Sequence, residues 1–203
     1  MEKTLQYDRV ITPQETYFWC GPASTQVVLN SRGIILSEEF LAGRLGTTSN
    51  GTDSINQFIP VLNQYLNTKY IVRSIPNDPP TLQQVNLLWD DVVKSVDAGF
   101  GIVGNIIAPP NNYPVGTNGS TSPAYGGGTV YHYVAIMGYF DNGHGRHVWV
   151  ADSGFRPFGY FCSVEQMASL IAGKGYAANP YALPVEDDSA IWADLLIQSL
   201  GPK

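Results

Sequence analysis

Along the first half of the chain, apolar positions recur at three- and four-residue spacing, and the breaks fall where caps and glycines stop a helix. "GPASTQVVLNSRGI" opens on glycine and proline, keeps Ala23, Val27 and Val28 at helical spacing, and stops at Gly33. A helix is therefore expected from about Cys20. "SEEFLAGRLG" has a serine cap, acids in its first turn and a terminal Gly46, the marks of a second helix. "TDSINQFIPVLNQYL" reads as a third, with Thr52 or Asp53 as its cap. In "TLQQVNLLWDDVVKSVDAG", Leu82, Val85, Leu88, Val92, Val93 and Val96 make an apolar stripe that ends at Gly99, which predicts a fourth.

The pattern then changes. "FGIVGNIIA" is a β-rich run broken by glycines, and "PPNNYPVGTNGSTSPAYGGG" after it has almost no apolar content. Loops of that length inside a compact domain are binding loops, lids or surface excursions. We read residues 108–128 as a flap over bound substrate, with a plain surface excursion as the alternative. "TVYHYVAIMGYF", the turn "DNGHGR" and "HVWVAD" form a predicted hairpin turning at Asn142-Gly143, and "SVEQMASLIAG" predicts a last short helix. The tail after it carries prolines and an acidic patch. The expected organisation is one domain over residues 1–182 and a linker over 183–203 leading to a further domain.

Composition narrows the function. Of 203 residues, 44% are hydrophobic and only 14% charged, which is a folded chain with light charge decoration. The net charge is −6 and no Lys/Arg cluster occurs, so nucleic acid is not an expected partner. No apolar run reaches the length of a membrane span, and "MEKTLQYDRV" is no signal peptide, so neither a membrane partner nor export is expected from this sequence. Two cysteines, Cys20 and Cys162, are too few for a disulfide framework, although a single bond between them is compatible with the sequence.

Cys20 has an unusual setting, behind "TYFW" and at the head of a helix, where first-turn N–H groups favour a thiolate. With the hairpin turn centred on Asn142, His132 and Asp152 face each other across the two strands, each ten residues from it. The acid would fix the imidazole's tautomer and stabilise its cation. A one-residue slip would separate the pair onto opposite faces. For an acyl-transfer oxyanion, the N–H of Cys20 and the side-chain amide of Gln14 are the expected donors.

"QETYFWCGPASTQVVLN", "YHYVAIMGY" and "VWVADSG", in this order, resemble the papain-like cysteine peptidases of the bacteriocin-processing type. With "EKTLQYDR", "NSRG", "LGTTSNGTD" and "GKGYA", the chain more closely resembles the N-terminal peptidase domain of mycobacteriophage Lysin A endolysins, across roughly the first 180 residues. The resemblance implies an α+β, papain-like fold with a helical N-terminal half packed on a C-terminal antiparallel sheet and a cleft between them. It implies Cys20 as nucleophile, His132 as base, Asp152 as orienting acid and Gln14 in the oxyanion hole, with no cofactor and no metal. The implied substrate is a peptidoglycan stem peptide or cross-link. The implied life cycle is synthesis in the host bacterial cytoplasm, action at the cell wall, and further lysin domains beyond residue 203.

Other readings use the same residues. An N-acetylmuramoyl-L-alanine amidase would share the mechanism, a noncatalytic wall-binding domain would keep only the fold, and a leader-removing peptidase would need a transporter partner. His144 and His147 read as solvated turn residues, Cys162 as core packing, and Trp19 and Tyr131 as candidate cleft walls.

Overall fold

Helices in this chain begin where a side chain can accept the free N–H groups of a first turn. α1 (Cys20–Asn30) is the exception, because Trp19 offers no side-chain cap and Gly21 and Pro22 open the helix. Ser37 caps α2 (Glu38–Leu45) by accepting from the Phe40 N–H at 3.2 Å, and Gly46 ends it with a left-handed φ of 65°. The third helix is capped by Ser54, not by Thr52 or Asp53 as the sequence led us to expect. A reciprocal cap needs a Glu or Gln three residues on, and of the three candidates only Ser54 has one, with the Ser54 N–H donating to Gln57 Oε1 at 2.7 Å. A single 3-10 turn over Ile55–Gln57 follows, and then α3 (Phe58–Leu66). Thr81 and Gln84 make the same box at the start of α4 (Leu82–Asp97), and Ser163 caps α5 (Val164–Ile171).

The computed structural model describes residues 1–182, so the linker expected over 183–203 lies outside the described residues. Its strands are β1 (Glu2–Thr4), β2 (Ile71–Ser74), β3 (Ile102–Ala108), β4 (Val130–Asp141), β5 (Arg146–Ala151), β6 (Gly159–Ser163) and β7 (Gly175–Ala178). They form one sheet in the order β2-β7-β3-β4-β5-β6, with every pair antiparallel. β4 is long enough for two partners on one edge: β3 pairs Val130 to Ile136, and β1 pairs Gly138 to Phe140.

Helices cover both faces. Val27, Val28, Leu41, Leu45, Phe58 and Leu62 of α1, α2 and α3 pack with Val103, Tyr133, Ala135 and Met137 on one side. Val85, Leu88, Val92 and Val96 of α4 join Met167, Leu170 and Ile171 of α5 against Ile106, Val134, Ile136, Val148 and Val150 on the other. The fold is the expected mixed α+β arrangement, with α4 crossing to the face opposite the other N-terminal helices. A sheet buried on both sides explains why "IVGNIIA" and "VAIMGY" read as near-continuous apolar runs.

The hairpin register differs from the sequence expectation. Asp141 pairs with Arg146 and Tyr139 with Val148, so the turn is centred between Gly143 and His144 rather than on Asn142. Asn142 Oδ1 accepts from the N–H groups of both His144 and Gly145 and holds this longer turn. Continued unbroken, that ladder would set Asp152 opposite Ala135, on the side of the sheet away from His132. A β-bulge between Ile136 and Gly138 inserts Met137 and shifts the register, so that Ala135 pairs with Ala151. Carried one residue past the end of β5, the shifted register sets Asp152 opposite Val134, two residues from His132 and on the same side of β4.

Asp91 of α4 is 2% exposed and is held by Arg73 Nε of β2 at 3.1 Å and the Tyr176 hydroxyl of β7 at 2.8 Å. Arg73→Ala would leave that buried carboxylate without its countercharge. The expected cost is roughly 2 kcal/mol or more, because breaking one side of a buried pair strands the other. Urea melts of this variant against Asp91→Asn, which removes the charge and keeps the shape, check it: Arg73→Ala should be the less stable of the two.

Candidate active site

Cys20, His132, Asp152 and Gln14 come together at one end of the sheet. Cys20 is the first residue of α1, a partly buried residue packed against the α1–α3 core. His132, 5% exposed, stands near the start of β4, and its Nε2 lies 3.0 Å from Asp152 Oδ1, which leaves Nδ1 for the thiol. Burial pushes the Cys20 pKa up, but the hydrogen bond and charge of His132, with the N–H groups of Tyr133 and Gly21, outweigh it, and the net shift is downward from 9.0. Burial alone would lower the His132 pKa, and the charge and hydrogen bond of Asp152, then those of Cys20, raise it to about 10. Both directions describe a thiolate–imidazolium pair near neutral pH. For stability, the raised His132 pKa means that its contribution is complete below 6.5 and is lost as pH rises through about 10.

Asp152 is fully buried. Its Oδ1 accepts from His132, from the Gly154 N–H at 3.0 Å and from the Phe155 N–H at 3.2 Å. Its Oδ2 accepts from the Tyr125 hydroxyl at 2.8 Å and the Tyr160 hydroxyl at 3.2 Å. Burial, then the Asp152 charge, push both phenols well above their ordinary pKa, so they remain neutral donors. Gly154 packs tightly on the ring, since a Cβ there would stand 3.0 Å from His132 Cε1 and the imidazole would have to give.

Tyr125 belongs to the long segment read from sequence as a flap, and that reading needs correction. Its ring stacks on Phe155 with centroids 3.8 Å apart, and the segment is tied to the sheet by Thr117 N–H to Phe161 O at 2.8 Å and Gln166 Nε2 to Tyr113 O at 2.9 Å. None of residues 108–128 lines the cavities beside Cys20. The segment backs the carboxylate instead of roofing the cleft. Little in its own pattern signals this beyond two tyrosines, Tyr113 and Tyr125, in so polar a stretch.

Gln14 is held at both ends. Its Nε2 donates to Thr16 O at 2.7 Å, its Oε1 accepts from the Ser153 hydroxyl at 2.9 Å, and its N–H donates to Ser153 O at 3.0 Å. One N–H of the amide stays free, and Cys20, as the first residue of its helix, has an N–H with no intrahelical partner.

Two cavities meet at the Cys20–His132 pair. The larger, about 460 Å³, is lined by Gln14, Thr16, Ser153, Gly154, Phe155 and Phe158, and the smaller, about 250 Å³, by Phe18, residues 49–53, Asn105, Tyr133 and Lys174. Exposed Tyr17 and Tyr131 border both, so Tyr131 is a cleft wall as expected, while Tyr17 and Phe18 take the place expected of Trp19.

The remaining candidates lie apart from this cleft. Cys162 is fully buried, and burial, then Glu165, push its thiol up to about 12, as core packing predicts. Both cysteines are free thiols. His144 is an exposed turn residue, as expected, but His147 sits on β5 with Nδ1 2.9 Å from Thr117 Oγ1, so it is a partly exposed strand residue and not a turn residue. Among the described residues, no three His, Cys, Asp or Glu side chains converge as metal ligands.

A thiol at a helix start, an imidazole and a buried acid on an adjoining antiparallel sheet define the papain-like class of cysteine peptidase. The chain belongs to the Peptidase_C39-like family, whose model matches residues 6–160, and it is a cysteine peptidase. Among solved structures it resembles the peptidase domain of Streptococcus ComA, a bifunctional ABC transporter involved in a quorum-sensing pathway. The identity is 19% and the TM-score 0.51, over 82% of this chain and 95% of that one, a likeness of fold. No curated protein matches the chain.

The pair's electrostatics predict its labelling. At about pH 6.5, where an ordinary thiol is largely protonated, iodoacetamide should alkylate Cys20 quickly and leave Cys162 untouched. In His132→Ala, burial of the sulfur is no longer opposed by the imidazole, so labelling at that pH should slow by about tenfold or more. Unchanged labelling would mean that His132 does not hold the thiolate. Tyr125→Phe keeps the stack on Phe155 and deletes one donor to Asp152. We expect kcat to fall roughly 3- to 10-fold with KM little changed, the cost of one charge-assisted hydrogen bond.

Proposed function

We propose that this chain is the peptidase domain of a phage endolysin and hydrolyses an amide bond in the peptide part of host peptidoglycan. The observation that carries the reading is the position of Cys20 and His132 at the junction of two cavities, which lets a peptide run across the sulfur with a residue on either side. The mycobacteriophage Lysin A resemblance of the sequence supports the wall as substrate.

In this mechanism the Cys20 thiolate attacks the amide carbonyl carbon and forms the C–S bond. The oxygen takes the negative charge, facing the N–H of Cys20 and the Gln14 amide. His132 gives its Nδ1 proton to the departing amine as the C–N bond breaks, leaving a thioester. A water then gives a proton to His132 and attacks the thioester carbon, and the acid product leaves with Cys20 restored as thiolate and His132 as imidazolium. Asp152 holds the ring throughout, so that Nδ1 keeps facing the sulfur.

The test is mass spectrometry of fragments released from purified walls by the wild type and by folded, metal-free Cys20→Ser. New peptide termini from the wild type alone would support the proposal. Whole stem peptides freed from the sugar would make the enzyme an amidase, and release by Cys20→Ser equal to the wild type would remove Cys20 from the chemistry.

A further inference from the structure

The smaller cavity contains charges that the hydrolytic chemistry does not use. Asp53 and Lys174 both line it, and neither forms an ion pair among the described residues. Asp53 is also spared helix capping, which Ser54 performs. Asp53 is an exposed residue that lines the cavity beside Tyr133, whose hydroxyl pKa is raised first by burial and then by the charges of Cys20 and Asp53. Lys174 Nζ lies 5.7 Å from the centre of the Tyr131 ring, at the rim that Tyr131 gives this cavity.

The wall that carries Asp53 is fixed relative to Cys20. Thr48 and Gly51 exchange both backbone hydrogen bonds, at 3.0 and 2.9 Å, and the hydroxyls of Thr47 and Thr52 are 2.7 Å apart. Gly21, next to Cys20, packs so closely on this loop that a Cβ would collide with Thr52 Oγ1. On the same cavity's wall, Asn105 Nδ2 donates to the Tyr133 hydroxyl at 3.1 Å, and that hydroxyl donates to Thr52 O at 3.1 Å, which leaves Asn105 Oδ1 as an acceptor.

We propose that this cavity is a specificity pocket for a residue whose side chain ends in an amino acid group, –CH(NH3+)–COO−. Asp53 and Asn105 take the ammonium and Lys174 takes the carboxylate. The cavity's volume of about 250 Å³ suits one side chain, since whole-ligand sites run from about 300 Å³ upward. The pairing also rejects near neighbours. A side chain with the amine alone meets Lys174 unpaired, and one with the carboxylate alone meets Asp53. The inference rests on the reading of this cleft as a peptidoglycan hydrolase site, because diamino dicarboxylic acids with such an end occur in stem peptides.

The test uses folded Cys20→Ala, which cannot turn over, and three short peptides identical except at one residue: diaminopimelyl, lysyl and 2-aminopimelyl. Calorimetry should show the diaminopimelyl peptide binding roughly 5- to 10-fold tighter than either other, with the preference shrinking as salt is raised. Asp53→Asn should erase its advantage over the aminopimelyl peptide, and Lys174→Gln its advantage over the lysyl peptide. Asp53→Glu should keep the former, which separates lost charge from a disturbed loop. Equal affinity for the three peptides, or a preference that survives both substitutions, would overturn the pocket. Wild-type release of peptide fragments from walls without any such preference would leave the hydrolase reading standing and remove only the pocket. A preference without wall cleavage would do the reverse.

Discussion

A carboxylate with no exposed surface has to be satisfied from within, and Asp152 is satisfied five times over, by an imidazole, two backbone N–H groups and two phenols. Each donor constrains a different part of the chain. The imidazole requires His132 and Asp152 on one side of the sheet, which the Met137 bulge provides. The N–H donors require the chain to turn immediately after Asp152, and the same turn brings Gly154 so near the imidazole that a Cβ would sit tightly, 3.0 Å from His132 Cε1. The Tyr125 hydroxyl requires the long polar segment before β4 to fold back behind the acid. That segment has little apolar surface to hold it, and its anchoring is therefore polar: the Tyr113 hydroxyl donates to Gly128 O at 2.7 Å and the Ala124 N–H to Arg156 O at 2.9 Å.

The charge balance explains why so many donors are needed. With Cys20 as thiolate and His132 as imidazolium, the third charge leaves the cluster with one net negative unit in a water-poor setting. Spreading the carboxylate's charge over neutral phenols and amides lowers the cost of burying it without neutralising the imidazolium. A lysine or arginine in their place would compete with His132 for the acid and weaken its hold on the proton. The contrast with Cys162 shows how much the setting matters: both thiols are largely removed from water, and only the one beside an imidazole is pushed toward its ionised form.

Much of the site was legible in the sequence because its signals are local. The glycine and proline after Cys20 mark a helix start, and alternating aromatic and β-branched residues mark the two strands. What escaped was register and long-range pairing. The turn dipeptide Asn142-Gly143 suggested a tight turn, but Asn142 uses its side chain to cap a longer one, which moved the pairing. The pair nevertheless met, because the bulge compensated for a shift that would otherwise have parted them. A bulge of this kind has no sequence signature, since Met137 is as apolar as its neighbours and its extra position shows only in the ladder. β1, β2, β6 and β7 were missed because each spans five residues or fewer, too short for alternation to stand out. Family membership, supported over residues 6–160, gives the class of chemistry, whereas the roles of individual side chains rest on the geometry around Cys20.

The turn after Asp152 ties orientation of the base to stabilisation of the oxyanion. Asp152 sets the imidazole, its neighbour Ser153 holds Gln14 through both backbone and hydroxyl, and Phe155 stacks on Tyr125, which returns to the carboxylate. On the other side of the sulfur, the loop over residues 47–52 packs on Gly21 and leads directly into Asp53. Nucleophile and pocket wall thus share one support, and base and oxyanion donor share the other. Displacement of either support moves two functions at once, so neither half can drift independently of the chemistry it serves. A glycine adjoins the reacting group on each side: at Gly21, beside Cys20, a methyl would collide with Thr52, and at Gly154, against His132, it would crowd the imidazole.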